Sequence, residues 1–475
     1  MELLKFEEIV EAIHGKIHIN SNCHKYNSVS TDTRKINENS IFVALKGDNF
    51  NANNYIVEAS KKGANLCIVD EIKFNEGDLQ ENTSVILVEN TRKALLDLAE
   101  LYRSKLNIKI IGITGSTGKT STKDLTAAAL GSKFKVFKTQ GNFNNEIGLP
   151  LMIFNLDNTL DVAVLEMGMS DFSEIHRLAK VARPDIALIT NIGISHIENL
   201  KTRENILKAK MEITDFFNKD SILIVNNEND LLKDISSNDY NIINIGFNEG
   251  VAYKATDILT DENHIEFTVC HNDENEKFNI PVPGKHNILN SLLAIAAGRV
   301  LNIEYDKLKD GIKNLSVTSM RLDIVKGEKF TIVDDCYNAS PDSMRAAIDV
   351  MNTIKGKRKI AVLGTMKELG VDSYKFHKEV AEYADSKNVD LLITVGEFNE
   401  AYKEGFNKTS KQFETIEDAA EFITNNINKD DIVLVKASRS MKFEYIVNKL
   451  KDKNWVLLIN YENIALKITK LLYDL

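Results

Sequence analysis

The sequence predicts an α/β protein of three domains built on parallel sheets. Short apolar β-branched runs alternate with helical patterns throughout, as expected of strands joined by crossover helices. One of these runs leads directly into a glycine-rich turn that opens a helix, at residues 112–120. The length, 475 residues, fits about three domains at roughly 150 residues each.

Three units follow in order. The first, 1–107, has strand candidates at 40–45, 66–70 and 84–88, then a helix at 91–105. The second, 108–318, opens with a strand at 108–114 and adds strands at 162–166, 186–190 and 222–225. It closes with a helix at 287–300. The third, 319–475, has strands at 330–334, 359–363, 391–395 and 432–435. No proline-rich linker or repeat marks the boundaries, so motif placement sets them. The stretch 454–475 reads as one or two further short elements without a functional reading.

Hydrophobic residues make up 43% and charged residues 27%, enough for each domain to bury a core. Lys and Arg number 59 against 69 Asp and Glu, a net charge of −10. That balance argues against a general nucleic-acid binder, which needs a cationic footprint, so no nucleic-acid partner is expected. Cys23, Cys67, Cys270 and Cys336 are scattered without a C-x-x-C pair. Reduced thiols in a cytoplasmic protein are the simplest expectation. Residues 1–15 read as an amphipathic helix, not a signal peptide. No apolar run approaches the ~18 residues of a membrane span, so no membrane insertion is expected.

The strongest local signal is Gly112-Ile-Thr-Gly-Ser-Thr-Gly-Lys-Thr120. Backbone N–H groups of such a turn (Gly115, Ser116, Thr117, Gly118) cradle phosphate oxygens, and the N-terminus of the helix, entered through Ser121, adds partial positive charge. Lys119 would neutralise the β- and γ-phosphates, and Thr120 would offer its hydroxyl to Mg²⁺. The strict pattern is missed only at its first glycine, which is Ile113.

Glu166 ends the run 162–166. It is either placed in the ligand crevice to hold Mg²⁺ or is an ordinary polar strand end. His196, beyond the next strand, is either a loop histidine or a ligand for a second metal. In the predicted helix 202–217, Lys208 has Glu204 and Glu212 four residues to either side, an ion-paired solvated face. Lys210 shares its face with Ile206, Ile213 and Phe217. Either its amine snorkels to water, or it is buried with a lowered pKa and reacts with CO₂. A carbamate would replace a cation by an anion suited to Mg²⁺. Periodicity leaves both readings open.

Taken together these residues resemble the Mur ligase family over nearly the whole chain. Ser30-Thr-Asp-Thr-Arg34 followed by Ile41-Phe-Val-Ala-Leu-Lys-Gly47 resembles the family's uridine-nucleotide segment. That implies substrate contacts from Ser30, Thr31 and Arg34, with Asn51-Ala-Asn53 in place of the usual Asp-Gly-His. Gly141-Asn-Phe-Asn-Asn-Glu-Ile-Gly-Leu-Pro150 is similar to a substrate-contacting segment, which implies roles for Asn142, Asn144, Asn145 and Glu146. Glu166 and His196 match the family's Mg²⁺ ligands, and Lys210 matches the lysine that the family carbamylates. Two Mg²⁺ ions are thereby implied, one bound through carbamylated Lys210.

Pro283-Gly-Lys-His-Asn287 and Asn290 resemble the adenine-contacting segment. Arg321 sits where the family directs an arginine at ATP phosphate. Asp334-Asp-Cys-Tyr-Asn-Ala-Ser-Pro341 resembles an Asp-Asp-x-Tyr-Asn-Ala box, with Asp335 toward ribose and Tyr337 and Asn338 toward substrate. Gly364-Thr-Met-Lys-Glu-Leu-Gly370 and Lys436-Ala-Ser-Arg-Ser440 resemble two further boxes, with Thr365 and Ala437 as single departures.

The resemblance implies a central P-loop ATPase domain flanked by an N-terminal uridine-nucleotide-binding domain and a C-terminal Rossmann-like ligase domain. It implies an ATP-dependent amide ligase in which Lys119, Lys210, His196 and Arg321 are catalytic. The absence of Asp-Asn-Pro-Arg favours the member that adds D-alanyl-D-alanine to UDP-N-acetylmuramoyl-tripeptide. The nearest alternative is a sister ligase adding a single amino acid. A folylpolyglutamate-synthetase-like ligase is disfavoured by the uridine-type first unit. A nucleotide-binding regulator without ligase chemistry is disfavoured by the joint presence of Glu166, His196, Lys210, Arg321 and Asp335. A monomer is expected.

Overall fold

The computed structural model describes residues 1–454 except 317 and 319. Of the stretch expected to carry further elements, 454–475, all but Asn454 lies outside the described residues. Three large sheets follow one another along the chain, as the alternating pattern predicts, with a two-stranded ribbon, Lys46–Gly47 and Phe50–Asn51, in the first unit.

The first sheet has the order Lys16–Ile19, Ser84–Leu87, Ala64–Val69, Ser40–Val43, Ser28–Ser30. Its first pair is antiparallel and the others are parallel. The N-terminal helix is shorter than expected: it spans Phe6–Ala12 and buries Phe6 and Ile9.

The central sheet positions the site. Strand Lys109–Thr114 lies between Val162–Glu166 and Ile186–Ile189, parallel to both. Glu166 pairs with Ile113, and Ile189 with Thr114, so three strand ends meet at one edge. Ligands of open parallel sheets bind at that edge. Every residue of the two flanking strands is buried, as in strands covered on both faces. Helices Lys119–Leu130 and His286–Val300 cover one face, packing Leu125, Ile288 and Leu292 onto Ile111, Ile113 and Val164. Each fully buried aliphatic side chain contributes about 1.5–3 kcal/mol.

The sheet continues through Asn241–Gly246 into antiparallel strands Tyr253–Thr260, Ile265–His271 and Glu274–Ile280, giving nine in all. These additions were not among the expected strands. Their burial alternates, so they read as half-polar and not as apolar runs.

The third sheet has the order Asp323–Lys326, Thr331–Asp334, Asp431–Lys436, Arg358–Gly364, Leu391–Val395, Thr409–Phe413. The four expected strands form its interior. Both edge strands are additions.

Candidate active site

The phosphate turn is braced from the neighbouring strand end. Thr117 N–H donates to Asn191 Oδ1 (2.9 Å), and Asn191 Nδ2 donates to Thr117 Oγ1 (2.8 Å). Gly193 N–H donates to Ser116 Oγ (2.9 Å). Gly115 and Gly118 adopt φ 148° and 80°, values open mainly to glycine. A Cβ at Gly115 would stand 1.8 Å from Thr190 Oγ1, and one at Gly118 2.8 Å from Asn290 Oδ1. The loop therefore has room for backbone only.

Beyond Gly118 the helix starts at Lys119. Lys119 Nζ donates to Gly115 O (2.7 Å). Burial holds Lys119 below the ordinary lysine range, opposed by Glu166 and reinforced by Arg321. Thr120 Oγ1 donates to Glu166 Oε2 (3.0 Å), and Asn144 Nδ2 donates to Glu166 Oε1 (2.9 Å). The loop hydroxyl and the strand-end carboxylate thus meet directly.

A cavity of about 300 Å³ opens between the central and third sheets. Ser116, Thr117, Gly118, Lys119, Thr120 and Ser121 line it, with Glu166 at its side. Asn287 and Asn290 face it from helix His286–Val300. Arg321, Asp335 and Asn338 face it from the third unit. The Arg321 guanidinium lies over the Tyr337 ring at 4.1 Å.

Some predicted residues lie elsewhere. Ser30, Thr31 and Arg34 sit at the edge of the first sheet. Ser30 Oγ donates to Asp32 O (2.9 Å), and Arg34 is paired with Asp32 (2.8 Å). Asn142 is exposed. Asn145 Oδ1 accepts the N–H of Gly148 (2.8 Å), at the start of helix Gly148–Ile153, and Glu146 pairs with Arg177. His196 is outside the cavity wall, its ring against the carboxylate of Glu368. That contact holds Glu368 below the usual carboxylate range.

The helix expected at 202–217 is shorter, Arg203–Met211, followed by a 3₁₀ turn at Glu212–Thr214. Thr214 Oγ1 donates to Met211 O (2.8 Å), which diverts the ladder. Glu212 accepts the N–H of Ser173 and of His176 (2.8 and 3.1 Å). The expected ion-paired face is corrected accordingly: Lys208 is exposed, with no ion pair among the described residues. Lys210 is 1% exposed, between fully buried Ile206 and Ile213, so its amine does not snorkel. Desolvation, with Lys119 adding to it, pushes Lys210 well below the ordinary lysine pKa. Among the described residues no three His, Cys, Asp or Glu side chains gather as a metal-binding group.

Among the cavity side chains that sequence patterns do not single out are Asp124, His286, Thr318 and Lys436. His286 and Lys436 lie inside quoted motifs, so proximity to a motif was the available signal. Lys436 is buried and pairs with Asp335 (2.5 Å). His377 is buried in the third unit. Its Nε2 accepts the N–H of Met366 (2.8 Å) and its Nδ1 lies 2.6 Å from Ser373 O. Burial lowers its pKa to about 4.

The unfolded chain protonates His377 below about pH 6.5 and the folded chain only near 4. Stability should therefore fall by about 3 kcal/mol as pH drops through that window. Denaturant unfolding at pH 7 and 4.5 measures this, and His377→Gln should lose that share of the slope. An unchanged slope in the variant would refute the assignment.

Two family models match the chain: the Mur ligase middle domain over residues 113–298, and the Mur ligase, glutamate ligase domain over residues 320–439. The UDP-N-acetylmuramoyl-tripeptide–D-alanyl-D-alanine ligase of Bacillus subtilis (strain 168) is 39% identical over 429 residues, covering 89% of this chain and 92% of that protein. The crystal structure of MurF from Acinetobacter baumannii matches with a TM-score of 0.85 at 27% identity, covering 95% of this chain and 99% of that one. MurF ligase from Thermotoga maritima, in complex with ADP, matches at 0.80 and 29%, covering 90% and 97%. The likeness covers 89–95% of the chain in these matches and is not confined to its phosphate turn: the chain belongs to the Mur ligase family.

Proposed function

We propose that this protein joins the terminal carboxylate of UDP-N-acetylmuramoyl-tripeptide to the amine of D-alanyl-D-alanine, consuming ATP. The products are the UDP-muramoyl pentapeptide, ADP and phosphate. The observation that carries this reading is a cavity where phosphate-loop Lys119 and Arg321 face one another's domains with Asp335 alongside. The 39% identity to a ligase of that name supports the substrate pair. Three units, 1–107, 108–318 and 319–475, divide the work. The first holds the uridine nucleotide through Ser30, Thr31 and Arg34. The second holds ATP, and the third closes over it.

In the first step a carboxylate oxygen attacks the γ-phosphorus and the bond to the β-bridging oxygen breaks, releasing ADP and leaving an acyl phosphate. In the second, the dipeptide amine attacks the acyl carbon, phosphate departs and the nitrogen loses a proton. Two anions must meet first. Lys119 and Arg321, both half-buried, offset that repulsion, more strongly than they would in open solvent. The Thr120 hydroxyl and Glu166 carboxylate are hard oxygen donors and fit Mg²⁺, which binds few protein carboxylates alongside phosphates. His196, freed from Glu368, and a carbamate on Lys210 would complete the set for two ions. Bound Mg²⁺ would supply neutralisation of phosphate charge. Asn142, Asn144, Asn145 and Glu146 orient the acceptor peptide, aided by Tyr337 and Asn338. The enzyme works as a cytoplasmic monomer. No helix among the described residues is long and apolar enough to cross a membrane.

Phosphate release from ATP with UDP-muramoyl-tripeptide present should require D-alanyl-D-alanine. Release driven by a single free amino acid would move the chain to a sister ligase.

A further inference from the structure

Arg321 is held between two anchors that belong to different units. On one side the Asp124 carboxylate, on helix Lys119–Leu130, accepts the N–H and the hydroxyl of Thr318 (2.9 and 2.8 Å). On the other side Leu322 N–H donates to Asp335 Oδ1 (3.2 Å), just past strand Thr331–Asp334. Beside these anchors two residues are strained: Met320 and Leu322 adopt φ 59° and 52°. Non-glycine residues keep such conformations only where surrounding contacts hold them. Among the described residues Arg321 Nε is buried with no hydrogen-bond partner, while its side chain faces the phosphate cavity.

Asp124 is equipped for this task. It is 2% exposed and lies between Lys138 (2.7 Å) and Lys123 (3.4 Å). Lys138 Nζ also donates to Ser316 O (3.3 Å), so the same cluster grips the linker twice. A buried carboxylate is costly unless paired, and here both its oxygens are engaged. Asp124 follows Thr120 by one helical turn, on the phosphate-loop face. It makes no contact that the phosphate chemistry itself requires.

We propose that Asp124 is a positioning residue whose clasp on Thr318 ties the phosphate-loop helix to the linker and thereby sets Arg321 over the γ-phosphate. This rests on reading the cavity as the ATP-phosphate site. Removing the clasp frees the strained segment, and Arg321 then leaves its place although the nucleotide still binds.

The test is a double-mutant cycle on the full chain, read as kcat for phosphate release with all three substrates and as ADP affinity by calorimetry. Asp124→Asn and Thr318→Val should each lower kcat about 10-fold or more while moving ADP affinity less than about threefold. Thr318→Ser, which keeps the hydroxyl, should recover most of the rate. Either variant combined with Arg321→Ala should be no slower than Arg321→Ala alone, because both remove one function. If Asp124→Asn does not fold, the Thr318→Val cycle reads the same coupling. Multiplicative losses would overturn the clasp and leave the phosphate-site reading intact. Full activity in Arg321→Ala would overturn both.

Discussion

Lys210→Ala is expected to slow amide formation by on the order of 10²–10³-fold, and short carboxylic acids should restore part of the rate. The argument starts from burial. Lys210 is 1% exposed, and the charge acting on it is the like charge of Lys119. Both effects favour the neutral amine, the form that reacts with CO₂. The nitrogen forms a bond to the carbon of CO₂ and loses a proton, leaving a carbamate. The helix then presents an anion where an ammonium would repel Lys119. Exposed Lys208, two residues away, is the control, and Lys208→Ala should change the rate less than about twofold. A ¹³C carbamate signal from labelled bicarbonate should appear in the wild type and vanish in Lys210→Ala. Near-normal activity in Lys210→Ala would end the carbamate reading.

The second large effect concerns Lys436. Its side chain is 2% exposed, pairs with Asp335 at 2.5 Å and donates to Asn338 O at 2.8 Å. It therefore ties together the box that faces the cavity. Burial holds its pKa below the ordinary lysine range, with Asp335 opposing. Lys436→Met leaves Asp335 buried without its cation, a change that costs about 3–5 kcal/mol. The melting temperature should fall by roughly 10 °C. Adding Asp335→Asn removes the orphaned charge and should recover part of the stability, but not ADP affinity. Thermal unfolding of the single and double variants, with and without ADP, separates the two losses. An unchanged melting temperature in Lys436→Met would mean that the pair contributes no net stability.

Some of this was legible because it is local. An apolar strand, a turn that only glycine can make and a lysine at a helix start are neighbours in sequence, so residues 112–120 announce their own geometry. Lys210 was separable from Lys208 because one helical turn decides which face each occupies. The full burial of Lys210 was not separable, since snorkelling and full desolvation share one periodicity. The helix end at Met211 was also hidden. It depends on Glu212 reaching Ser173 and His176, 39 and 36 residues away. The antiparallel extension of the central sheet escaped notice because half-exposed strands carry weak apolar signals.

By itself, then, the sequence determined the order of the core strands, the phosphate turn and the family to which the chain belongs. The first two follow from short-range sterics and hydrophobic period, and the family from the resemblance its motifs carry. Only the tertiary structure decided which of the named side chains share a cavity. It brought Thr120 to Glu166, set Lys436 beneath Asp335 and joined Asp124 to Thr318 across 194 residues. Such pairs arise where buried charges and donors need partners, and no sequence period encodes the partner's address.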